Sequence, residues 1–153
     1  MPDCNDPADP ALGFCAKTTY GLLALLELAG MQARDQRLQV AEIAKRQAIP
    51  ERYLEQMMTS LRRAGIVRSV RGARGGYLLT RSAGEISLLE VIQCLEGNST
   101  HHTPQGASPE REVIEQLGDD LRQQRLARLQ AISLADLIKE RDALLQAQAM
   151  YFI

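Results

Sequence analysis

Tryptophan is missing from this chain and aromatic residues make up only 4% of it, so a core has to be built from Leu, Ile, Val and Ala. All-β sandwiches and barrels draw more heavily on aromatic and β-branched side chains, which disfavours that class. Cysteine is scarce: Cys4, Cys15 and Cys94 are scattered, odd in number and form no C-x-x-C pair. They suit neither a disulfide framework nor a structural zinc site of the usual spacing. The longest apolar stretch, residues 22–31, is interrupted by Glu27 and is well short of the roughly 20 residues of a membrane span. The first ten residues are rich in Pro and Asp and have no basic or apolar segment, so no secretory signal is read. A reducing cytoplasm is the expected compartment and no membrane partner is expected. No Ser/His/Asp or Cys/His set has motif surroundings, and no Gly loop stands between a strand and a helix. An enzyme is therefore not expected.

What remains is enough for one ordinary globular unit: 153 residues, 45% hydrophobic and 24% charged. The net charge of −1 hides an asymmetry. Between Ala44 and Ser82 lie Lys45, Arg46, Arg52, Arg62, Arg63, Arg68, Arg71, Arg74 and Arg81, opposed only by Glu51 and Glu55, a local +7. Eight of the nine cations are Arg, whose planar fork grips phosphate. A basic block inside a mildly acidic chain predicts a polyanion on one face.

Periodicity sets the organisation. Residues 1–12 read as a disordered tail. A helix is predicted over about 17–31, apolar nearly all round and so central. A short helix over 38–47 is followed by a tight break at Ala48, Ile49 and Pro50. A third helix over about 51–64 turns Tyr53, Leu54, Met57, Met58 and Leu61 inward and stops at Gly65. The period then changes to that of strands at 66–70 and 77–80, around an Arg- and Gly-rich turn at 71–76. Ser87 and Glu90 form a capping box for a helix closed by Gly97. A polar loop covers 98–107. A long helix runs from Pro109 to about Ala131, and Ser133 opens a last one with Leu134, Leu137, Ile138, Leu144 and Leu145 on its apolar side.

Two short helices, a cationic third helix and an Arg-tipped hairpin make a winged helix-turn-helix. The predicted class is mainly α with a small β-hairpin wing, followed by a long C-terminal dimerisation helix. A B-DNA major groove about 12 Å wide admits one helix. Arg52, Glu55 and Gln56 lie in the first turns of the third helix: Arg and Gln can contact guanine and adenine bidentately, and Glu can accept from cytosine. Glu55 could instead serve an intrahelical pair. Arg71 and Arg74 cap a tip slim enough for a minor groove. A winged helix turned to protein binding would need no Arg-tipped wing.

Several stretches closely resemble one bacterial regulator family: residues 16–21 (AKTTYG), 40–44 (VAEIA), 53–56 (YLEQ), 61–67 (LRRAGIV) and 69–79 (SVRGARGGYLL). They are similar to the Rrf-two family of transcription regulators, with its IscR, NsrR and CymR types. The likeness covers about 13–97 and resumes at 132–137. It implies a homodimer on a palindromic operator of double-stranded DNA, joined through the long helix. Arg52, Glu55 and Gln56 match the family's base readers and Arg71 its wing residue. The expected DNA surface is Arg52, Tyr53, Glu55, Gln56, Arg62, Arg71, Gly72, Arg74, Gly75 and Gly76. The expected dimer residues are Val113, Ile114, Leu117 and Leu121. The expected organisation is a DNA-binding domain over 13–97, a loop at the family's sensor position over 98–107, and dimerisation and C-terminal helices over 108–153.

The sensor region departs from the pattern. Many members carry three Cys between the Gly97-like position and the dimer helix, holding an iron–sulfur cluster; residues 98–107 contain none. Thiolate is the usual cluster ligand, so the chain resembles the cluster-free branch and no cofactor or metal is expected. Alternatives stay open for the remaining sensor candidates. Cys94 reads as a redox thiol or a small core residue. His101 and His102 read as metal ligands or a solvated loop. Cys15 with Cys94 or the His pair reads as an unusual cluster site. Asp119 and Asp120 diverge by about 100° on a helix, which favours a solvated face. A small-molecule, redox or protein effector is left unspecified.

Overall fold

A computed structural model describes residues 13–97 and 108–152. The order is α1 (Ala16–Gln32), α2 (Val40–Gln47), α3 (Glu51–Arg63), β1 (Val67–Val70), β2 (Gly76–Leu79), a single 3₁₀ turn (Ala83–Glu85), α4 (Leu88–Glu96), α5 (Pro109–Ala131) and α6 (Leu134–Met150). The mainly helical architecture with one hairpin is the predicted class. The tail at 1–12 and the loop at 98–107, including His101 and His102, lie outside the described residues.

The small aromatic content leads to a core of aliphatic and Met side chains around α1. Leu22, Leu25 and Leu28 of α1 are buried with Ile43 of α2, Leu54, Met57, Met58 and Leu61 of α3, and Val91 and Leu95 of α4. The 3- and 4-residue spacing on α3 places its apolar stripe inward. Gly21 lets α4 approach, because a Cβ there would run into Leu95. The α2–α3 break is made by Ala48 in a left-handed conformation (φ 52°), with the Ile49 N–H donating to Ala44 O at 2.9 Å and Ile49 itself buried. Pro50 then precedes α3 and needs no N–H of its own there.

The second helix is two residues shorter than its apolar pattern predicts, and the reason is tertiary. Leu38 pairs with Tyr77 of β2: the Tyr77 N–H donates to Leu38 O at 2.8 Å and the Leu38 N–H donates back at 3.3 Å. Its backbone groups are thus spent on the wing. The hairpin itself is antiparallel, with Val67 opposite Leu79 and Val70 opposite Gly76. Gly76 has φ +153°, and a Cβ on it would lie 2.7 Å from Leu38 O. Only glycine lets the wing's second strand come this close.

The capping box expected at α4 is half formed. Ser87 Oγ accepts from the Glu90 N–H at 3.2 Å, but the Glu90 carboxylate bonds Arg81 instead. The full reciprocal box is at α6, where Ser133 Oγ accepts from the Asp136 N–H and Asp136 accepts from the Ser133 N–H at 2.8 Å. Those bonds from Ser133 hold the Asp136 carboxyl below its ordinary pKa. The corner between α5 and α6 is tied to α4's start by the Leu88 N–H to Ile132 O (2.9 Å) and the Leu134 N–H to Ile86 O (3.0 Å). Only Leu129 of α5 and Leu134 of α6 are fully buried. Leu144 and Leu145, on the apolar side of α6, are exposed, as is every described residue past Arg141.

Gly76→Ala is expected to lower stability by about 1–3 kcal/mol, since a strained φ and a backbone clash coincide. A thermal melt beside wild type reads this as a fall of several degrees.

Candidate nucleic-acid interface

The inward stripe of α3 leaves its opposite face to solvent. At about 100° per residue, Arg52, Gln56, Thr59 and Arg63 fall along one line, with Glu55 and Arg62 on its flank. Arg52, Glu55, Gln56, Arg62 and Arg63 are all exposed. Tyr53 is half-buried and packs against the core. The sequence reading counted Arg63 in the basic block but not among the contact residues; its position eleven residues after Arg52, three helical turns, carried that signal. Glu55 forms no ion pair among the described residues, so the intrahelical alternative is not the one adopted. Thr59 Oγ1 donates to Glu55 O at 2.9 Å, which leaves the Glu55 carboxylate untouched.

The basic block is not one surface. Arg46 lies between Glu42 (2.6 Å) and Glu27 (3.2 Å), and Gln47 also donates to Glu27 at 2.6 Å. Arg81 bonds the Glu90 carboxylate and donates to Glu85 O at 3.2 Å. These two cations are held by the fold. Lys45, Arg52, Arg62, Arg63, Arg68, Arg71 and Arg74 are exposed and have no ion pair among the described residues. All seven lie on α2, α3 or the wing.

Backbone demands shape the wing. Gly75 and Gly76 are half-buried, and a Cβ on Gly75 would lie 2.5 Å from Val70 O. Their hydrogen-only side chains close the turn. Gly72 stands exposed at the tip with φ +117° and open space around it. The two tip arginines serve different clefts. Arg71 lines one of about 360 Å³ with Gln39, Val40 and Gly72. Arg74 lines another of about 610 Å³ with Arg37, Gln36, Gln39 and Glu42. Arg37 lies outside the +7 block and escaped the sequence reading. It stands next to Leu38, whose pairing with Tyr77 brings it beside the wing.

The expected dimer residues form a separate exposed stripe. Val113, Ile114, Leu117 and Leu121 are 54–66% exposed on α5, a spacing that puts four aliphatic side chains on one face. Exposed aliphatic groups grouped on one helix face are uncommon on a monomeric surface.

Comparison with known proteins places these features in a wider set. The family model described as "Iron-dependent Transcriptional regulator" matches residues 14–140. The rrf2-like HTH-type regulator of Rhodobacter capsulatus is 43% identical over 83 residues, a match spanning 53% of this chain and 55% of that protein. The HTH-type regulator IscR of Xenorhabdus nematophila is 35% identical over 133 residues, 84% of this chain and 80% of that protein. Among solved structures, CymR, the global cysteine regulator of B. subtilis, superposes with a TM-score of 0.69 at 32% identity. That likeness covers 84% of this chain and 98% of that one.

Iron in the family description makes the donor atoms worth testing. Among the described residues no three His, Cys, Asp or Glu side chains converge as metal ligands would. Cys15 Sγ lies 3.3 Å from Glu96 Oε1 and 3.5 Å from Thr18 Oγ1, where Thr18 also donates to Glu96 at 2.7 Å. Cys94 Sγ donates to Ser60 O on α3 at 3.5 Å. The two thiols serve different contacts, and the described residues supply no thiolate set for a cluster. Burial, helped by the neighbouring Glu90 carboxylate, pushes the Cys94 thiol above its ordinary pKa, which opposes a reactive thiolate. Alkylation of Cys94 by iodoacetamide near neutral pH, followed by peptide mass mapping, is expected to run about tenfold slower in the native than in the urea-unfolded chain. The native rate is expected to rise with pH.

Proposed function

The chain belongs to the Rrf2 family of iron-dependent transcriptional regulators and is a DNA-binding winged-helix regulator rather than an enzyme; on that premise we propose that it acts as a homodimer on a palindromic operator. The observation that carries this reading is the free arginine face of α3 adjoining an arginine-tipped wing, while Arg46 and Arg81 are neutralised elsewhere. A helix about 10–12 Å across fits the major groove. With α3 there, Arg52 and Gln56 reach base edges from the helix's first turns and Glu55 accepts from a cytosine amino group. Arg62, Arg63 and Lys45 sit toward the phosphates. The wing then meets the flanking minor groove through Arg71, with Arg74 and Arg37 lining the cleft beside it. Tyr53 supports the helix from its inner side, and Gly72, Gly75 and Gly76 keep the tip slim.

Reading a palindrome requires two copies of this surface related by a two-fold axis, half-sites about 34 Å apart. The exposed Val113, Ile114, Leu117 and Leu121 stripe of α5 supplies the contact. No helix among the described residues is long and apolar enough to cross a membrane, and we place the protein in the cytoplasm with its DNA. The absence of Cys from residues 98–107 supports a cluster-free member whose signal arrives by another route.

Two experiments test this reading. In fluorescence anisotropy with a selected operator, affinity is expected to fall steeply between about 50 and 200 mM salt. Arg71→Ala is expected to cost about 1–3 kcal/mol of binding and to lessen the salt slope, whereas Arg46→Gln leaves the slope unchanged. Equal slopes for wild type and Arg71→Ala would remove the wing from the interface. In light scattering, Leu117→Glu combined with Leu121→Glu is expected to give a folded monomer with at least about tenfold weaker operator affinity. A dimer from that variant refutes the α5 contact.

A further inference from the structure

The far end of α6 is apolar, uncovered and without charge. Leu134, Leu137 and Ile138 begin one face of this helix; Leu134 is buried and the other two pack against the core. At about 100° per residue the same face continues through Leu144 and Leu145, and Tyr151 and Phe152 follow the helix end at Met150. Arg141 lies against Gly30 at the end of α1, and past Arg141 every described residue is exposed. Leu144 is 65% exposed, Tyr151 and Phe152 91% each. Residues 143–153 contain no charged side chain, so this end has nothing to offer a polyanion. It also lies past residue 140, where the family likeness stops.

We propose that this end of α6 forms the second half of the homodimer interface, packed against a second copy of this chain. The inference rests on the homodimer reading above and adds a contact to it. The area a stable dimer buries selects the occupant. Four aliphatic side chains on α5, each offering on the order of 100 Å², supply roughly 400 Å². A standard interface needs about 800 Å² per partner, so the α5 stripe alone covers about half. Leu144, Leu145 and Phe152, with Met150 and Tyr151 beside them, supply at least as much again, since an aromatic side chain alone buries about 150–250 Å². Both surfaces spring from the one corner at Ile132–Leu134 and, among the described residues, α5 and α6 do not run along each other.

The test is sedimentation equilibrium of the full chain over a wide concentration range. It compares wild type, Leu144→Glu/Leu145→Glu, the milder Leu144→Gln/Leu145→Gln, and the α5 variant Leu117→Glu/Leu121→Glu, with circular dichroism and thermal melts on each. Both α6 variants are expected to weaken the dimer, the Glu pair by at least about tenfold, while the melt of the winged helix is kept. If the Glu pair fails to fold, the Gln pair reads the same quantity. An unchanged dimer constant in a folded α6 variant, with the α5 variant monomeric, overturns this inference and leaves the homodimer reading standing. Loss of a larger assembly with the dimer intact overturns it too. A wild type that stays monomeric at every concentration defeats both.

Discussion

Two hydrogen bonds between Leu38 and Tyr77 hold the wing to the helix-turn-helix, and the placement of the wing beside α2 and α3 depends on them. A hairpin of two four-residue strands is marginal by itself. Pairing with the segment ahead of α2 gives it a third partner, and its inner residues Val67 and Leu79 join the core. The wing is thereby fixed relative to α3, so a single rigid unit can meet two neighbouring grooves. The pairing also explains the glycine at 76, the late start of α2 and the placement of Arg37 near Arg74.

Charge is managed with the same economy. Nine cations close together in sequence repel one another. The fold withdraws two of them from the surface field, Arg46 into a pair of carboxylates and Arg81 onto Glu90. Their partners are exposed or half-exposed, so each pair adds little stability. Their effect is to shape the field: the remaining cations lie on α2, α3 and the wing, and cations of this kind displace the counterions condensed on a phosphate backbone. The Glu90 carboxylate serves this arrangement at the expense of its cap, which shows how a local helix-start signal yields to an ion pair reached from a distant turn.

The two ends of the molecule divide the work. The aliphatic core around α1 carries the winged helix, and α5 and α6 leave it with apolar faces that are exposed among the described residues. Val113 to Leu121 on α5, Leu144 to Met150 on α6 and the Tyr151–Phe152 turn after it hold the large exposed hydrophobic side chains among the described residues. In the proposed homodimer these faces would meet a second copy, the arrangement that doubles a weak half-site contact into a specific one.

Local chemistry was enough to read helix existence, the tight Ala48 to Pro50 break, the Gly65 stop, the hairpin and the α3 residues that point outward. Each of these follows from periodicity, backbone preference or a turn residue within a few positions along the chain. The motif likeness added the dimer expectation, which spacing alone does not contain. Contacts between residues far apart in sequence were decided only by the folded chain. They took Leu38 out of α2, turned Glu90 from capping to Arg81, neutralised Arg46 through Glu27, brought Arg37 beside the wing and left Leu144 and Leu145 bare. A helical pattern states which side of a helix is apolar, but whether anything covers that side depends on where the neighbouring elements end. Here α1 ends at Gln32 while α6 runs on to Met150.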